Sequence, residues 1–196
     1  MGTRIKQGRA SSVTDLGDGT VLRTGGHPAT EAGIMALAHE RGFPVPRVLE
    51  VRADGLVLQR IDGATMGHAI RRRPWQAAGH VRLLVDLHDR LHRIPFEGAT
   101  LVHFDLHPEN VLMSPSGPVV IDWTNARAGD GASDVAMTWV ILATSAGLPG
   151  RALARLFERR VGREVLTRGV EGARAFRLAD PHVSDAERDR VRRLSP

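Results

Sequence analysis

Cysteine is absent from this chain of 196 residues. The protein therefore forms neither disulfide bonds nor cysteine-ligated metal sites, and its composition is compatible with a reducing cytoplasm. Long hydrophobic runs are also missing, because the longest uncharged stretch, residues 135–150, falls short of the roughly 20 residues that cross a bilayer. We interpret that stretch as a buried helix and expect no contact with membranes. The first residues lack the apolar segment of a secretory signal, so we expect a cytoplasmic protein.

Lysine is nearly absent as well, since Lys6 is the only one and arginine carries the positive charge. The net charge of +5 and the isoelectric point of about 11.1 raise the question of a nucleic-acid partner. The charges balance over residues 1–150, with 15 of each sign, whereas residues 151–196 hold 12 arginines and 7 acids and account for the whole excess. No recognition motif accompanies this charge, so we do not expect nucleic-acid binding.

The first sixty residues are rich in strand signals. Turn-forming residues separate apolar runs that predict three strands, at residues 21–24, 48–51 and 56–61. One helix, capped by Thr30, is predicted from Glu31 to about Arg41, with Gly42 as its end.

The remainder of the chain is predicted to be mainly helical. Apolar residues spaced three and four apart indicate a helix over residues 76–92, and further helices follow from about residue 132, the last capped by Ser184. Strands followed by helices predict an α+β chain in two parts. We place a small β-rich lobe at residues 1–62 and a mainly helical lobe at residues 63–196.

The segment from Leu101 to Trp123 is the richest in chemically useful side chains. Pro108 disfavours helix at the residue before it, so residues 103–109 are predicted to form a loop. The apolar runs 111–113 and 119–121 are separated by turn residues and predict a β-hairpin.

The hairpin has a consequence for two polar residues at its open end. With a turn centred near Ser116, Asn110 and Asp122 would lie side by side, because paired strands are about 4.8 Å apart. Their amide and carboxylate oxygens are hard ligands that could share Mg²⁺, and Asp105 on the preceding loop would face the same point. The alternative is an ordinary hairpin whose polar ends are solvated.

The same segment resembles a known family. The H-x-D-x-x-x-x-N catalytic loop of kinases is matched by His103, Asp105 and Asn110. Asp122 stands where the metal-binding aspartate of kinases follows. The wording Asp-Leu-His-Pro-Glu-Asn-Val-Leu, and then Ile-Asp-Trp, is similar to the aminoglycoside phosphotransferase and choline kinase group. The resemblance covers roughly residues 5–145 and implies a two-lobed, protein kinase-like fold.

This resemblance also implies an activity. It indicates an ATP- and Mg²⁺-dependent phosphotransferase, with GTP as an alternative nucleotide, that acts on a hydroxyl of a small molecule. Asp105 would orient and deprotonate that hydroxyl, while Asn110 and Asp122 would hold Mg²⁺ against the nucleotide phosphates. A nucleotide-binding pseudokinase and a compact, atypical protein kinase are the alternatives. The basic residues 151–196 favour an anionic or neutral acceptor over a polycationic aminoglycoside.

The nucleotide side of the site is also predicted from the resemblance. Arg23 takes the place of the phosphate-holding lysine and Glu31 that of its ion-pair partner, although considered alone they are an ordinary strand arginine and an ordinary first-turn acid. Ser11 and Ser12 stand where a phosphate-covering loop is expected, but they fit a plain turn equally well. The hinge whose backbone would pair with adenine is placed at Gln59 and Ile61.

Histidines and one further aspartate complete the predictions. His103 is expected to brace the loop structurally, and His107 is expected to be an ordinary surface histidine. Asp134 matches a family aspartate that fastens the catalytic loop from the next helix. His88 and His92 share a helix without a third ligand nearby in sequence, so no zinc site is predicted.

Overall fold

The computed structural model describes residues 3–7, 12–145 and 148–196. Its amino-terminal part is an antiparallel sheet of five strands, arranged in the order β1-β2-β3-β5-β4. The strands are β1 (Thr3–Gln7), β2 (Ser12–Asp15), β3 (Thr20–Thr24), β4 (Val48–Arg52) and β5 (Gly55–Gln59), and helix α1 (Pro28–Glu40) connects β3 to β4.

The second part of the chain is mainly helical and contains two small three-stranded sheets. Its helices are α2 (Met66–Arg72), α3 (Ala77–Leu91), α4 (Gly131–Thr144), α5 (Leu148–Val161), α6 (Arg163–Ala179) and α7 (Asp185–Arg193). One sheet has the order β10-β9-β6, with β6 (Ala64–Thr65), β9 (Val111–Ser114) and β10 (Gly117–Val120); the other has the order β11-β8-β7, with β7 (Pro95–Phe96), β8 (Ala99–Val102) and β11 (Arg127–Gly129). The predicted α+β architecture is confirmed, while a boundary between residues 62 and 63 stays a prediction.

Helix α1 begins earlier than its sequence signals predicted. Its first residue is Pro28 and its N-cap is His27, so Thr30 lies inside the first turn and the predicted cap is wrong. Proline is favoured at the first helical position because the amide that it lacks would be unpaired there anyway, and its fixed φ suits a helix. Gly42, with a φ of 72°, follows the end of the helix as predicted.

The apolar run at residues 135–150 does not form one helix. Helix α4 ends at Thr144 and α5 begins at Leu148, so the prediction of a single helix is wrong. Pro149 lies in the first turn of α5, where proline is tolerated, and it would interrupt a continuous helix. Within the described ranges, no helix has the length and apolar character required to cross a membrane.

A single apolar core joins the two parts of the chain. It extends from Ile34 and Met35 on α1 through Leu87 and Leu91 on α3 to the carboxy-terminal helices. Helix α4 is buried along most of its length and packs on α6, where Gly169 lies directly against the backbone of Ala132. Because α4 follows β11 and the hairpin, this packing fixes the helical scaffold on which residues 101–123 rest.

The predicted hairpin is present, but its register differs from the prediction by one residue. The loop consists of Pro115 and Ser116, Val120 pairs with Val111, and the amide of Ile121 donates to the carbonyl of Asn110 at 2.9 Å. Ile121 therefore lies opposite Asn110, and Asp122 comes one residue later. A turn centred between Pro115 and Ser116, rather than on Ser116, accounts for this shift.

Candidate active site

A cavity of about 470 Å³ lies between the five-stranded sheet and the β9–β10 hairpin. Most of its wall is apolar, and the sheet, helix α1 and the hairpin all contribute, with Val13, Val21, Met35, Leu58, Ile61 and Leu112. Charged residues also line it: Arg23 is bonded to both Glu31 and Asp122, and Arg60 is bonded to Asp62. An apolar slot with a few convergent charged groups is the usual form of a small-ligand site.

Arg23 on β3 links two carboxylates. Its side chain is almost fully buried, with Nη1 donating to Oε2 of Glu31 at 2.7 Å and Nη2 donating to Oδ1 of Asp122 at 3.1 Å. The same Nη2 also donates to the hydroxyl of Thr124. The predicted pairing of Arg23 with Glu31 is confirmed, and the contact with Asp122 is a further one that the sequence did not indicate.

Burial acts strongly on Glu31. Desolvation raises the pKa of its carboxyl above the ordinary value, although the charge and hydrogen bond of Arg23 oppose the shift. The Oε1 atom has no hydrogen-bond partner among the described residues. It lies so close to Gly26 that a Cβ at that position would be only 2.2 Å away. Gly26, whose φ is 72°, is thus required both by its backbone conformation and by the space that Glu31 occupies.

Asp122 follows the last strand of the hairpin in a left-handed backbone conformation, with a φ of 66°. Burial opposes its ionisation, but the charge of Arg23 and the hydrogen bond from Thr124 outweigh this effect and lower the pKa of Asp122 below its ordinary value. The carboxylate is consequently ionised at neutral pH. It also lines the cavity, so a ligand that enters there meets a fixed negative charge.

Asp105 and Asn110 are brought together by the loop between β8 and β9, which was predicted to be catalytic. The Nδ2 atom of Asn110 donates to Oδ2 of Asp105 at 2.7 Å and to the carbonyl oxygen of Asp105 at 3.0 Å. Asn110 is buried, whereas a quarter of the Asp105 side chain is exposed. Since the amide nitrogen of Asn110 is turned towards Asp105, its oxygen is the end that could ligate a cation.

The loop is fastened to helix α4 by Asp134, as the sequence predicted. Its Oδ1 accepts the amide hydrogen of Phe104 at 2.6 Å, and its Oδ2 accepts that of His103 at 3.2 Å. Phe104 has a φ of 57°, an uncommon conformation that these bonds help to maintain. His103 is fully buried edge-on against Trp123, at 5.0 Å between ring centroids, and burial lowers its pKa. The expectation that His103 is structural agrees with this placement.

Two histidines that lie far from Asp134 in sequence cluster around it in the structure, and nothing in the sequence indicated this. Nε2 of His92, the C-cap residue of α3, lies 2.8 Å from Oδ2 of Asp134, and Nδ1 of His88 lies 3.5 Å from the same oxygen. These three residues are close enough for a metal site. However, the 2.8 Å contact is a hydrogen-bond distance, and both oxygens of Asp134 also accept backbone amide hydrogens. We therefore interpret the cluster as a hydrogen-bond network.

His107 contacts Asp105, which an ordinary surface histidine would not do. Its Nε2 lies 3.5 Å from Oδ1 of Asp105, and its Nδ1 accepts the amide hydrogen of Glu109 at 3.4 Å. The side chain is about one-fifth exposed. The interpretation from the sequence thus missed the contact between His107 and Asp105. The only hint of it in the sequence is that His107 lies two residues after Asp105.

Some of the remaining residues predicted to contact the nucleotide line the cavity, but not all do. Ser11 lies outside the described residues. Ser12 begins β2 and its hydroxyl pairs with that of Thr24 at 2.9 Å, so it belongs to a strand pair and is absent from the described cavity lining. Gln59 and Ile61 line the cavity. The amide of Gln59 already donates to the carbonyl of Arg47, whereas the backbone of Ile61 forms no hydrogen bond with the described residues.

Comparison with known proteins agrees with this geometry. Residues 84–176, which include the catalytic loop, the hairpin and Asp134, match the model of a family described as the phosphotransferase enzyme family (APH). The predicted family resemblance is confirmed. Two curated archaeal proteins are similar over part of their length, each at 29% identity. One is a probable bifunctional tRNA threonylcarbamoyladenosine biosynthesis protein of Methanoculleus marisnigri, matched over 58% of this chain, and the other a probable serine/threonine-protein kinase BUD32 homolog of Archaeoglobus fulgidus, matched over 47%. The matches cover only 23% and 42% of these two relatives.

Solved structures of phosphotransferases share the fold over nearly the whole chain. Aminoglycoside phosphotransferase APH(4)-Ia superposes with a TM-score of 0.65 at 16% identity, over 97% of this chain and 83% of its own. A choline/ethanolamine kinase family protein from Mesorhizobium loti gives a TM-score of 0.65 at 19% identity, over 98% and 86% of the two chains. At these identities the likeness establishes the fold, which is protein kinase-like as predicted.

Proposed function

We propose that this chain is a kinase-type phosphotransferase that uses ATP, or alternatively GTP, together with Mg²⁺, and transfers the γ-phosphate to a hydroxyl of a small molecule. The observation that carries the proposal is the arrangement of Asp105, held at 2.7 Å by Asn110, beside a hairpin whose next acid, Asp122, lines a largely apolar cleft. The match of residues 84–176 to a phosphotransferase family supports it.

The cleft suits a nucleotide. Its apolar wall would hold the base, and the backbone of Ile61, which bonds to none of the described residues, would form the base's hydrogen bonds. Arg23, with two terminal nitrogens, is suited to binding phosphate oxygens. A neighbour of the same fold, a mutant of APH(4)-Ia, was solved with AMP-PNP and hygromycin B, which supports nucleotide use in this fold.

Residues that fit Mg²⁺ are present. Asp122 is ionised at neutral pH, since its pKa is lowered, and Asn110 turns its amide oxygen away from Asp105. Carboxylate and amide oxygens are the ligands that Mg²⁺ prefers in proteins. When bound, the ion would neutralise charge on the nucleotide phosphates.

Asp105 would accept the proton of the attacking hydroxyl. Asn110 fixes one of its oxygens, so the carboxylate is oriented before a substrate arrives. Phosphoryl transfer gains most from such positioning and from neutralisation of charge, because little covalent chemistry is asked of the protein. His103 and Phe104, held by Asp134, keep the loop backbone in place.

The acceptor class is the finer part of the proposal. The neighbours named above are an aminoglycoside phosphotransferase and a choline/ethanolamine kinase family protein, which favours a small-molecule hydroxyl. A protein hydroxyl is the second candidate, because one relative is a probable serine/threonine-protein kinase. The basic charge of residues 151–196 favours an anionic or neutral small molecule over a polycationic one.

Nucleotide binding is tested by thermal stabilisation. MgATP should raise the melting temperature of the protein, and Asp122→Asn should remove most of that rise by removing the charged metal ligand. Asparagine is the appropriate replacement because it tolerates the left-handed backbone of Asp122 better than alanine does. Asp89→Asn, at an exposed position on α3, serves as the matched control and should keep the full rise. An unchanged melting temperature of the wild-type protein with MgATP would contradict the proposal.

Transfer is tested with γ-labelled ATP and a panel of metabolites, antibiotics and protein substrates. We expect label to appear on a small-molecule hydroxyl, with turnover reduced at least 100-fold in Asp105→Asn and unchanged in Asp89→Asn. Label on protein alone would support the second candidate. Equal turnover in wild type and Asp105→Asn would refute the catalytic assignment.

A further inference from the structure

A buried chain of hydrogen bonds reaches the catalytic loop at the residue after Asp105. Asp134, by contrast, contacts the loop at the two residues before Asp105. His88 on α3 and Thr138 on α4 are each only 1% exposed. The hydroxyl of Thr138 donates to the carbonyl of Leu106 at 2.6 Å, and Nε2 of His88 lies 2.9 Å from the same hydroxyl oxygen. Leu106 directly follows Asp105. Thus two helices are connected to the backbone beside the proposed catalytic base.

The hydrogen-bond pattern determines the direction of this chain. A hydroxyl has one proton, and Thr138 gives it to Leu106, whose carbonyl can only accept. Nε2 of His88 must therefore carry a hydrogen and donate it to Thr138. The resulting order is His88 to Thr138 to Leu106, with each donor satisfied. Breaking one of these hydrogen bonds costs free energy, because it leaves a buried polar group without a partner.

We propose that His88 and Thr138 form a positioning pair that fixes the backbone immediately after Asp105. Asp134 holds the amides of His103 and Phe104, on the near side of Asp105. The pair holds Leu106, on the far side. Asp105 thus lies between two attachments, one on each side of it in sequence, both of which reach α4. This inference rests on the proposed role of Asp105, and it assigns functions to two residues outside the cleft.

The test uses two substitutions that separate the hydroxyl from the side-chain volume. Thr138→Val keeps the shape of the side chain but breaks the hydrogen bonds from His88 to Leu106, and Thr138→Ser keeps the hydroxyl. With Mg²⁺ and ATP, and water as the acceptor, we expect Thr138→Val to lower kcat for phosphate release by about 10- to 100-fold while KM for MgATP changes less than about 3-fold. Thr138→Ser should restore kcat to within about 3-fold of wild type.

Another buried threonine of the protein serves as a matched control. Thr144 also lies buried on α4, but its hydroxyl donates to the carbonyl of Val140 within the same helix, at 2.8 Å. Thr144→Val therefore loses a buried hydroxyl without touching the catalytic loop, and it should leave kcat unchanged. If both valine variants lower kcat equally, the effect is general destabilisation and the proposal is wrong.

Amide hydrogen exchange provides a readout that needs no activity. Residues 103–107 should exchange faster in Thr138→Val than in wild type or Thr144→Val, at a temperature where all three are folded. Absence of Asp105-dependent phosphate release in the wild type would overturn the proposed function, while the exchange data would still decide whether the pair holds the loop. If a folded Thr138→Val variant had the same exchange rates and the same kcat as the wild type, the inference would be overturned. Should that variant not fold, His88→Gln, which retains a donor near Nε2, should exceed His88→Leu in kcat and loop protection, and equality would refute the pair.

Discussion

At the scale of single residues, Arg23 contacts two carboxylates through the two terminal nitrogens of its guanidinium. A lysine has one nitrogen and could not reproduce this geometry with the same rigidity. Arg23, the residue predicted to hold phosphate, is thus in direct contact with Asp122. A cation bound at Asp122, as proposed, would compete with the contact at 3.1 Å or rearrange it.

The buried pair of Arg23 and Glu31 gives a stability prediction. Arg23→Met keeps much of the side-chain volume but leaves the Glu31 carboxylate buried and unpaired, so we expect a loss of about 3–5 kcal/mol at pH 7. The matched control is Arg52→Met in the same sheet, where Arg52 and Glu50 form an exposed pair, and little change is expected. Urea unfolding of both variants measures the difference. Equal effects would contradict the prediction.

The loss caused by Arg23→Met should also depend on pH. The pKa of Glu31 is already raised by burial in the wild type, and removal of the arginine raises it further. The folded state then holds the proton more tightly than the unfolded chain, so the contribution to stability is present at low pH and lost as pH rises through the folded-state pKa. The destabilisation should therefore be smaller at pH 5 than at pH 7.

At the scale of elements, a glycine allows α4 and α6 to approach each other closely. A Cβ on Gly169 would lie 2.0 Å from the carbonyl oxygen of Ala132, and a backbone atom cannot move away cheaply. Gly169→Ala should thus destabilise the protein by about 1–3 kcal/mol or more. Gly33→Ala, in the exposed interior of α1 where nothing lies within 4 Å, should instead stabilise it by about 0.5–1 kcal/mol. Opposite signs in thermal unfolding are the expected result, and two stabilising substitutions would contradict it.

Local patterns predicted the elements well where a signal lay within one segment. The hairpin, the strands around Arg23 and the cap at Ser184 were all readable, because turn chemistry, alternation and capping act over a few residues. The start of α1 was predicted wrongly, since Pro28 outweighed the weaker signal of Thr30. The hairpin register was one residue off because the centre of a short turn cannot be located that finely from composition.

Long-range contacts were predicted only where a family motif supplied them. Arg23 and Glu31, eight residues apart, and Asp134, which fastens the loop from 30 residues away, came from the motif. The links from Arg23 to Asp122 and from His88 to Thr138 did not, because they join distant segments and leave no periodic trace. The roles of the predicted site residues in catalysis and binding stay predictions that the experiments above address.

At the scale of the whole molecule, the sheet and the helical scaffold meet at the cleft, and the scaffold depends on a buried network around Asp134. Helices α3 and α4 and the catalytic loop all converge on this fully buried carboxylate. Its ionisation therefore affects three parts of the fold at once. Acid should accordingly act on the scaffold and on the catalytic loop together rather than on the surface alone.

Stability in acid tests this dependence. Burial opposes ionisation of Asp134, but its contacts with His88 and His92 prevail and hold its pKa far below the ordinary value. The unfolded chain takes up this proton near pH 3.9, where the folded state does not, so the stabilisation is present above that pH and is lost as pH falls below it.

Buried His103 acts in a higher window, because burial lowers its pKa below the unfolded value of about 6.5 and stability declines as pH falls through that value. We therefore expect the free energy of unfolding to decrease from pH 7 to 5 and again from pH 5 to 3. Asp134→Asn should be less stable than the wild type at pH 7. Its free energy of unfolding should change little between pH 5 and 3 but should still decrease between pH 7 and 5. Urea midpoints across this range provide the measurement, with Asp89→Asn as the control that should follow the wild type. If Asp134→Asn kept the wild-type slope below pH 5, the network would not be the source of the acid sensitivity.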